Sequence, residues 1–383
     1  MLTTFEIENY KKFKQIRFDG LKRINVFLGA NNVGKTTILE ALMIYACGFF
    51  WNPILGISVL HRNQNEAIPN MQFAESILNV FHKEHAQGEL KFSVGGLAEA
   101  EEGVTETTFT HVFHPGYLMT ALNPDIQMED RRQNPQKVPI TIPDNQGNPI
   151  VMQVQTQHVG SWDISSEGKT QTIPILLPQL ASSPVGKPHD PAVFHDTGSL
   201  RRQQDEFRVY SGLMTSGRME EFVKEINRAF PGIDIESIEN IPYPDGSRAP
   251  LSLLQKNGNR LPLSSFGEGV CRWYDLFGRM VSYRNALHCI EEAEVSFNHQ
   301  AQKVYAETLM RYAQDYNNQV FMTTHSKEFL QALLTEFGDT EQAFLAEQVR
   351  VMTLREGESG VLCRALTGQE ALDALDRGLE LRL

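Results

Sequence analysis

The chain has 383 residues, 41% of them hydrophobic and 21% charged, a globular composition that excludes collagen-like, rod-like coiled-coil and wholly disordered chains. Acidic residues outnumber basic ones by 47 to 35, leaving a net charge of −12. This argues against indiscriminate binding to a phosphate backbone over the whole surface and leaves room for a local basic groove.

The chain opens on two strand-like runs, FEIEN and IRFDGL, followed by Ile24 to Leu28, a largely apolar run of the kind found in a strand covered on both faces. From Lys35 the period changes: Ile38, Leu39, Leu42, Met43 and Ala46 fall at helical spacing. Residues 1–60 thus read as a strand–turn–helix unit. Residues 61–203 differ, with many Pro, Asn, Gln and Gly residues between short β-like runs such as FTHVF, VPITI and PIVMQVQTQ. The last two flank a turn and are expected to form a hairpin. Absence of apolar heptads in this insertion argues against a coiled-coil arm.

Residues 204–383 return to regular patterning. A helix is expected through RMEEFVKEINRAF, a turn at PYPDGS, a loop entering a helix over SSFGEGVCRWYDLFGRMVSYRNA, and a strand at ALHCI. A helix over Gln302 to Tyr316 and the strand QVFMTT repeat the alternation; a β-like pair (QVRVMTLRE, GVLCRALT) and a short helix with Leu372, Leu375 and Leu379 follow. Strands alternating with helices imply an α/β fold with a mainly parallel, doubly covered sheet.

Four cysteines, Cys47, Cys271, Cys289 and Cys363, show no C-x-x-C spacing and read as buried thiols rather than a zinc knuckle or disulfide framework. No apolar stretch of about 18 residues and no secretory h-region is evident, so a cytoplasmic protein without a membrane partner is expected.

The sharpest motif is GANNVGKTT, Gly29 to Thr37, which fits G-x-x-x-x-G-K-[ST] between an apolar strand and an amphipathic helix. In a P-loop of this kind the amides of Gly29, Asn31, Asn32, Gly34 and Thr37 line a phosphate cradle. Lys35 reaches the β and γ phosphates of ATP and the Thr36 hydroxyl ligates Mg2+. The alternative, a chance Gly-rich turn, lacks a reason for the strand before it and the helix after it.

SSFGEG at 264–269, ALHCIEEAEVSFNH at 286–299 and QVFMTTHS at 319–326 resemble the signature, Walker B with D-loop, and switch-histidine segments of ABC-type ATPases. Their order, and the opening FEIENYKKFKQIRF, resemble the OLD, RecF and SMC branch. Within it the chain is most similar to bacterial AAA-family ATPases that include the ATPase subunit of PARIS-type phage defence. The resemblance covers about the first 50 and last 180 residues. It implies a P-loop NTPase fold of ABC type, with the partly β insertion between Walker A and the signature. It also implies self-association into a homodimer or higher oligomer, because the signature of one protomer closes on the γ-phosphate held by another. Ser265 would contact that phosphate and Gly267 would let the backbone approach.

By the same resemblance Glu291 would occupy the Walker B aspartate position near Mg2+ and Glu292 the catalytic position, orienting or deprotonating the attacking water. A glutamate at the first of these is one methylene longer than aspartate, which for an ion as exacting as Mg2+ suggests slow turnover. His325 would hydrogen-bond the γ-phosphate and report its loss. Glu294 and Asn298 are weaker candidates for contacts across the dimer, and Lys12 for the base or ribose. Neither Gln64 nor Gln72 has a convincing Q-loop context.

His111 and His114 in HVFHP lack a third ligand and read as exposed strand histidines rather than a metal site. Lys11, Lys12 and Lys14, Arg131-Arg132 and Arg201-Arg202 read as solvated faces. Only 58 residues follow His325 (326–383), with no D-x-D pair, so a Toprim nuclease of the OLD kind would have to be a separate effector polypeptide. The expected activity is therefore an ATP-hydrolysing switch or scaffold for such an effector in anti-phage defence. The alternatives are an SMC/RecF-like DNA-binding ATPase in repair, with DNA as a less favoured partner, and a slow or non-hydrolysing ATP sensor.

Overall fold

A computed structural model describes residues 1–49, 77, 79–82, 90–100, 103–115, 137–143, 149–155, 157–177, 189, 191–196, 203–241, 250–358 and 360–381. In chain order the elements begin β1 (Leu2–Tyr10), β2 (Phe13–Asp19), β3 (Ile24–Gly29) and α1 (Lys35–Cys47). Next come β4 (Leu90–Ala100), β5 (Gly103–Pro115), β6 (Lys137–Pro143), β7 (Pro149–Gln155), β8 (Gln157–Ser166), β9 (Lys169–Leu177) and β10 (Ala192–His195). Helices α2 (Gln203–Thr215) and α3 (Met219–Ala229) precede β11 (Ile235–Glu239), β12 (Ser252–Gln255) and β13 (Arg260–Pro262). The remainder is α4 (Glu268–Ser282), β14 (Leu287–Ile290), α5 (His299–Asp315), β15 (Gln319–Thr323), α6 (Lys327–Thr340), α7 (Gln342–Gln348), β16 (Val349–Gly357), β17 (Gly360–Thr367) and α8 (Gly368–Asp376).

The chain divides into two compact units: Met1–Thr3, Gly20–Leu39 and Asp190–Leu383 form the first, Thr4–Asp19 and Glu40–His189 the second. The first is an α/β unit built on a six-stranded sheet of order β10-β14-β15-β3-β16-β17, parallel from β10 through β16 with only β17 antiparallel. Strands β3, β14 and β15 are buried at every residue, as expected for apolar runs covered by helices on both faces. The sheet leaves the carboxyl ends of these adjacent strands side by side, the position where open α/β sheets bind ligands.

Local chemistry sets the helix boundaries. Asn298 caps α5 by accepting from the Ala301 amide at 2.8 Å, and Ser326 caps α6 by accepting from the Phe329 amide at 3.0 Å. Thr367 and Glu370 form a reciprocal capping box at the start of α8. Each such cap contributes about 1 kcal/mol. Leu379, expected on the final helix, lies beyond it and is exposed. Helices α2 and α4 approach closely through two glycines. A Cβ on Gly278 would stand 2.2 Å from Val209 Cγ1, and one on Gly212 2.1 Å from Ser282 Oγ. The face of α4 away from this contact carries Trp273 and Phe277, ring centroids 4.5 Å apart, into the core.

The second unit holds a sheet of order β2-β1-β4-β5-β8-β9, antiparallel between β1 and β2 and from β4 through β9, so its described part is more regular than the composition of residues 61–203 suggests. Strands β4 and β5 pair from Leu90↔Phe113 to Ala100↔Gly103, around a core of Phe92, Phe109, Phe113, Trp162 and Ile164. The expected hairpin of VPITI and PIVMQVQ is present as β6–β7, in register from Lys137↔Gln155 to Pro143↔Pro149. His111 is not an exposed strand residue: it is fully buried, its ring stacked on Phe92 at 4.5 Å and accepting from Trp162 Nε1 at 3.3 Å. It follows the inward alternation of Phe109 and Phe113, whereas His114, three residues on, takes the opposite face and pairs with Asp163 at 3.0 Å. The two histidines therefore do not form a ligand pair.

Cys47 and Cys289 are buried as expected, while Cys271 and Cys363 are only half-buried. Lys11 is paired with Glu40 at 2.6 Å rather than freely solvated. Arg131-Arg132, Arg201-Arg202, Gln64, Gln72 and the turn PYPDGS lie outside the described residues. No described helix is long and apolar enough to cross a membrane.

Candidate functional site

The P-loop leaves β3 at Gly29, whose φ of +143° belongs to glycine alone. A Cβ there would fall 2.4 Å from the Leu354 carbonyl oxygen of the neighbouring strand. Asn32 (φ +62°) and Gly34 (φ +109°) complete the turn, and α1 starts at Lys35. Asn31 and Asn32 are exposed, and Thr36 and Thr37 half-buried, so one side of the loop is open to solvent.

Lys35 is 6% exposed and folds back on its own loop, donating to the carbonyls of Gly29 and Ala30 at 2.8 Å each. Burial lowers its pKa from 10.5 to about 8, against the opposing pull of first Glu294 and then Glu292. The Thr36 hydroxyl donates to Glu291 Oε1 at 2.6 Å. The longer acid thus reaches the hydroxyl directly, from the carboxyl end of β14.

The loop after β14 is tightly held. Glu292 has φ +47°, its amide bonded to Thr323 Oγ1 at 2.9 Å, and Ala293 N–H donates to the Thr323 carbonyl at 2.9 Å. Arg272, buried on α4, donates Nη2 to the carbonyls of both Glu291 and Glu292 at 2.7 Å. Glu294 Oε1 accepts from the His325 amide at 2.7 Å, linking this loop to the residue after β15. His325 itself is half-buried. Asn298 is engaged as the α5 cap described above.

Ser265 and Gly267 are exposed, at the turn where α4 begins. Nothing lies within 4 Å of a Cβ built on Gly267, whereas one on Gly269 would stand 2.6 Å from the Ser296 carbonyl oxygen. The first turn of α4 therefore packs against the loop after β14 while Ser265 and Gly267 face outward. Among the described residues no hydrogen bond joins either of them to the P-loop. Lys12 is an exposed residue of the second unit.

The residues present fit a nucleotide with Mg2+. Thr36 and Glu291 already place two oxygens 2.6 Å apart. Glu294 Oε2, Ser296 Oγ and Arg272 Nη1 are buried without a hydrogen-bond partner. Among the described residues no cluster of three or more His, Cys, Asp or Glu could hold a metal alone. An ion here would depend on phosphate oxygens, as Mg2+ sites in ATPases do.

Arg272 and Thr323 were not singled out from sequence. The signal for Arg272 was an arginine on the apolar stripe of α4; for Thr323, a hydroxyl just before the switch position.

Comparison with known proteins matches both motif-bearing ends. Residues 1–91 match a family model described as an AAA ATPase domain. Residues 160–331 match an AAA domain model whose description also names the AbiEii toxin and Type IV TA systems. An ATP/GTP phosphatase of Helicobacter pylori is 22% identical over 96% of each chain. The DNA replication and repair protein RecF of Acinetobacter baumannii is 32% identical over 102 residues, 27% of this chain and 28% of RecF. In structure, an SMC head bound to the C-winged helix domain of ScpA superposes with TM-score 0.55 at 9% identity, covering 97% of this chain and 99% of that one. An SMC head with an extended coiled coil, bound to the C-terminal domain of ScpA from Pyrococcus furiosus, gives 0.50 at 8%, covering 98% of each. The chain has the fold of the SMC-head P-loop ATPases and carries the AAA ATPase domain matches at the two segments that supply its phosphate loop and its paired glutamates.

Proposed function

We propose that the protein is a Mg2+-dependent ATPase that works as a nucleotide switch, its site completed by Ser265 and Gly267 of a second copy. The observation that carries this reading is the junction of Thr36 with Glu291 at 2.6 Å, beside a Lys35 held over the phosphate loop. In this reading Lys35 exchanges its two carbonyl partners for phosphate oxygens, and the α1 amides bind the same anion. Mg2+ held by Thr36 and Glu291 would neutralise charge developing on the phosphates. Glu292 accepts the proton of the attacking water, and the rigid loop set by Thr323 and Arg272 keeps its carboxylate in place. Glu294 joins this loop to His325, so loss of the outermost phosphate reaches the segment after β15. Outward-facing Ser265 and Gly267, at the positive end of α4, are suited to meet a phosphate on another copy.

Glu292→Gln tests the chemistry. We expect nucleotide binding to persist while phosphate release falls by about a hundredfold or more, with a nucleotide-dependent dimer accumulating in light scattering. Negligible, equal release by the parent and Glu292→Gln would replace hydrolysis with the sensor reading.

For the biological role we propose a scaffold that holds a separate effector in phage defence, supported by the resemblance of the motif segments to such ATPases and by the net charge of −12, which disfavours broad DNA binding. The similarity to RecF favours a second reading, a DNA-binding ATPase in repair. Duplex DNA affinity that falls steeply with salt would decide for it.

A further inference from the structure

Two imidazoles are buried against one another at the edge of the parallel sheet. His195 closes β10 and His288 lies in β14; they are 4% and 0% exposed, with rings stacked at 5.3 Å. His195 Nε2 is 3.0 Å from His288 Nδ1. His288 Nε2 faces the Tyr283 carbonyl at 3.3 Å. That carbonyl can only accept, so the His288 proton belongs on Nε2 and its Nδ1 accepts from His195 Nε2–H. In the neutral ring, His195 Nδ1 then carries no proton, which accounts for its 3.8 Å stand-off from Asp275 Oδ2. Asp275 Oδ1 in turn accepts from Arg279 Nε at 2.7 Å.

Asp275 and Arg279 belong to α4, the helix that begins beside Gly267. Asp275 thus stands beside His195 Nδ1 without a hydrogen bond to it, and the bond that remains is the His195–His288 pair, which ties β10 to β14. The backbone of this pair reaches the candidate site, because the His195 carbonyl accepts the Glu291 amide at 2.9 Å. An apolar pair would bury more favourably in such a core. What a hydrogen-bonded pair adds is direction: it fixes the height of a four-residue edge strand against β14.

We propose that His195 is a positioning residue that sets where the Glu291 carboxylate stands and, through it, the Mg2+ affinity of the nucleotide site. This rests on the ATPase reading given above. Groups that orient a metal ligand without touching the ion change affinity by about 10- to 100-fold when removed.

The test is binding of a fluorescent non-hydrolysable ATP analogue, measured in EDTA and across a Mg2+ titration, so no turnover is needed. His195→Phe should leave binding in EDTA unchanged and raise the Mg2+ midpoint about tenfold. His288→Leu, which removes the acceptor of the His195 bond, should raise it in the same direction. His195→Gln, which keeps a donor for His288, should stay within about threefold of the parent. Unmoved Mg2+ midpoints in folded His195→Phe and His288→Leu overturn the assignment. If His195→Phe does not fold, His288→Leu decides by itself. A parent protein that binds no analogue under any condition instead removes the ATPase reading, which separates the two failures.

Discussion

Replacing Lys35 by methionine should abolish nucleotide binding and yet leave the nucleotide-free protein more stable. The lysine is 6% exposed, and burial lowers its pKa from 10.5 to about 8. That drop corresponds to about 3 kcal/mol of cost for carrying the charge. The unfolded chain binds the Lys35 proton more readily than the folded one, so stability must rise with pH between about 8 and 10.5 as this proton is lost. Below 8 the full cost is present, and above 10.5 it is gone. Methionine removes the charge but forfeits the bonds to the Gly29 and Ala30 carbonyls, each about 1 kcal/mol. At pH 7 the net gain for Lys35→Met is therefore about 1 kcal/mol, reversing to a net loss near pH 10.5.

A chain with two compact units need not unfold in one step. Fluorine NMR of fluorotryptophan-labelled protein resolves this, since Trp273 reports on the first unit and Trp162 on the second. Urea midpoints of the Trp273 signal for parent and variant, compared from pH 7 to 10.5, isolate the lysine. Added ATP at about a hundred times its dissociation constant should stabilise the parent by about 2.7 kcal/mol and the variant not at all. A parent-minus-variant difference that stays flat across pH 8 to 10.5 refutes the reasoning, as does an ATP response that survives the substitution.

Gly29→Ala should lose nucleotide binding without unfolding the second unit. Its Cβ would meet the Leu354 carbonyl at 2.4 Å in a conformation reserved for glycine, and equilibrium binding of the ATP analogue reads the outcome. In the second unit, burial pushes the His111 imidazole down to about 3. The unfolded chain takes up that proton first, so acid should cost this unit about 4–5 kcal/mol of stability as pH falls from 6.5 to 3. His111→Phe should flatten that dependence in the Trp162 signal; an unchanged acid profile would show that another group is responsible.

The legible and illegible parts of this chain differ in physical kind. Strands β3, β14 and β15 were readable because a strand buried on both faces needs a mostly apolar run, broken here only by polar groups such as Asn25 and His288 that find partners inside, and a helix needs another period. The phosphate loop was readable because its glycines answer to backbone sterics, which are local. His111 was misjudged because its inward position depends on the register of β5, set by pairing with β4 and β8 rather than by neighbours in sequence. Residues 61–203 looked irregular because four of their described strands, β4, β5, β8 and β9, complete a sheet begun by β1 and β2, far away in the chain.

The sequence by itself determined the order of the α/β elements and the phosphate loop, since these follow from side-chain period and from which residues can adopt a left-handed turn; the acids beside the loop were marked by the resemblance of their segment to Walker B. Tertiary structure alone decided which groups meet. Glu291 reaches Thr36 across 255 positions, Glu294 holds the His325 amide, Arg272 clamps the loop between them, and His195 reaches His288 across 93. Such contacts depend on the order and relative height of parallel strands, quantities that hydrogen bonding between distant segments sets and local propensity does not encode.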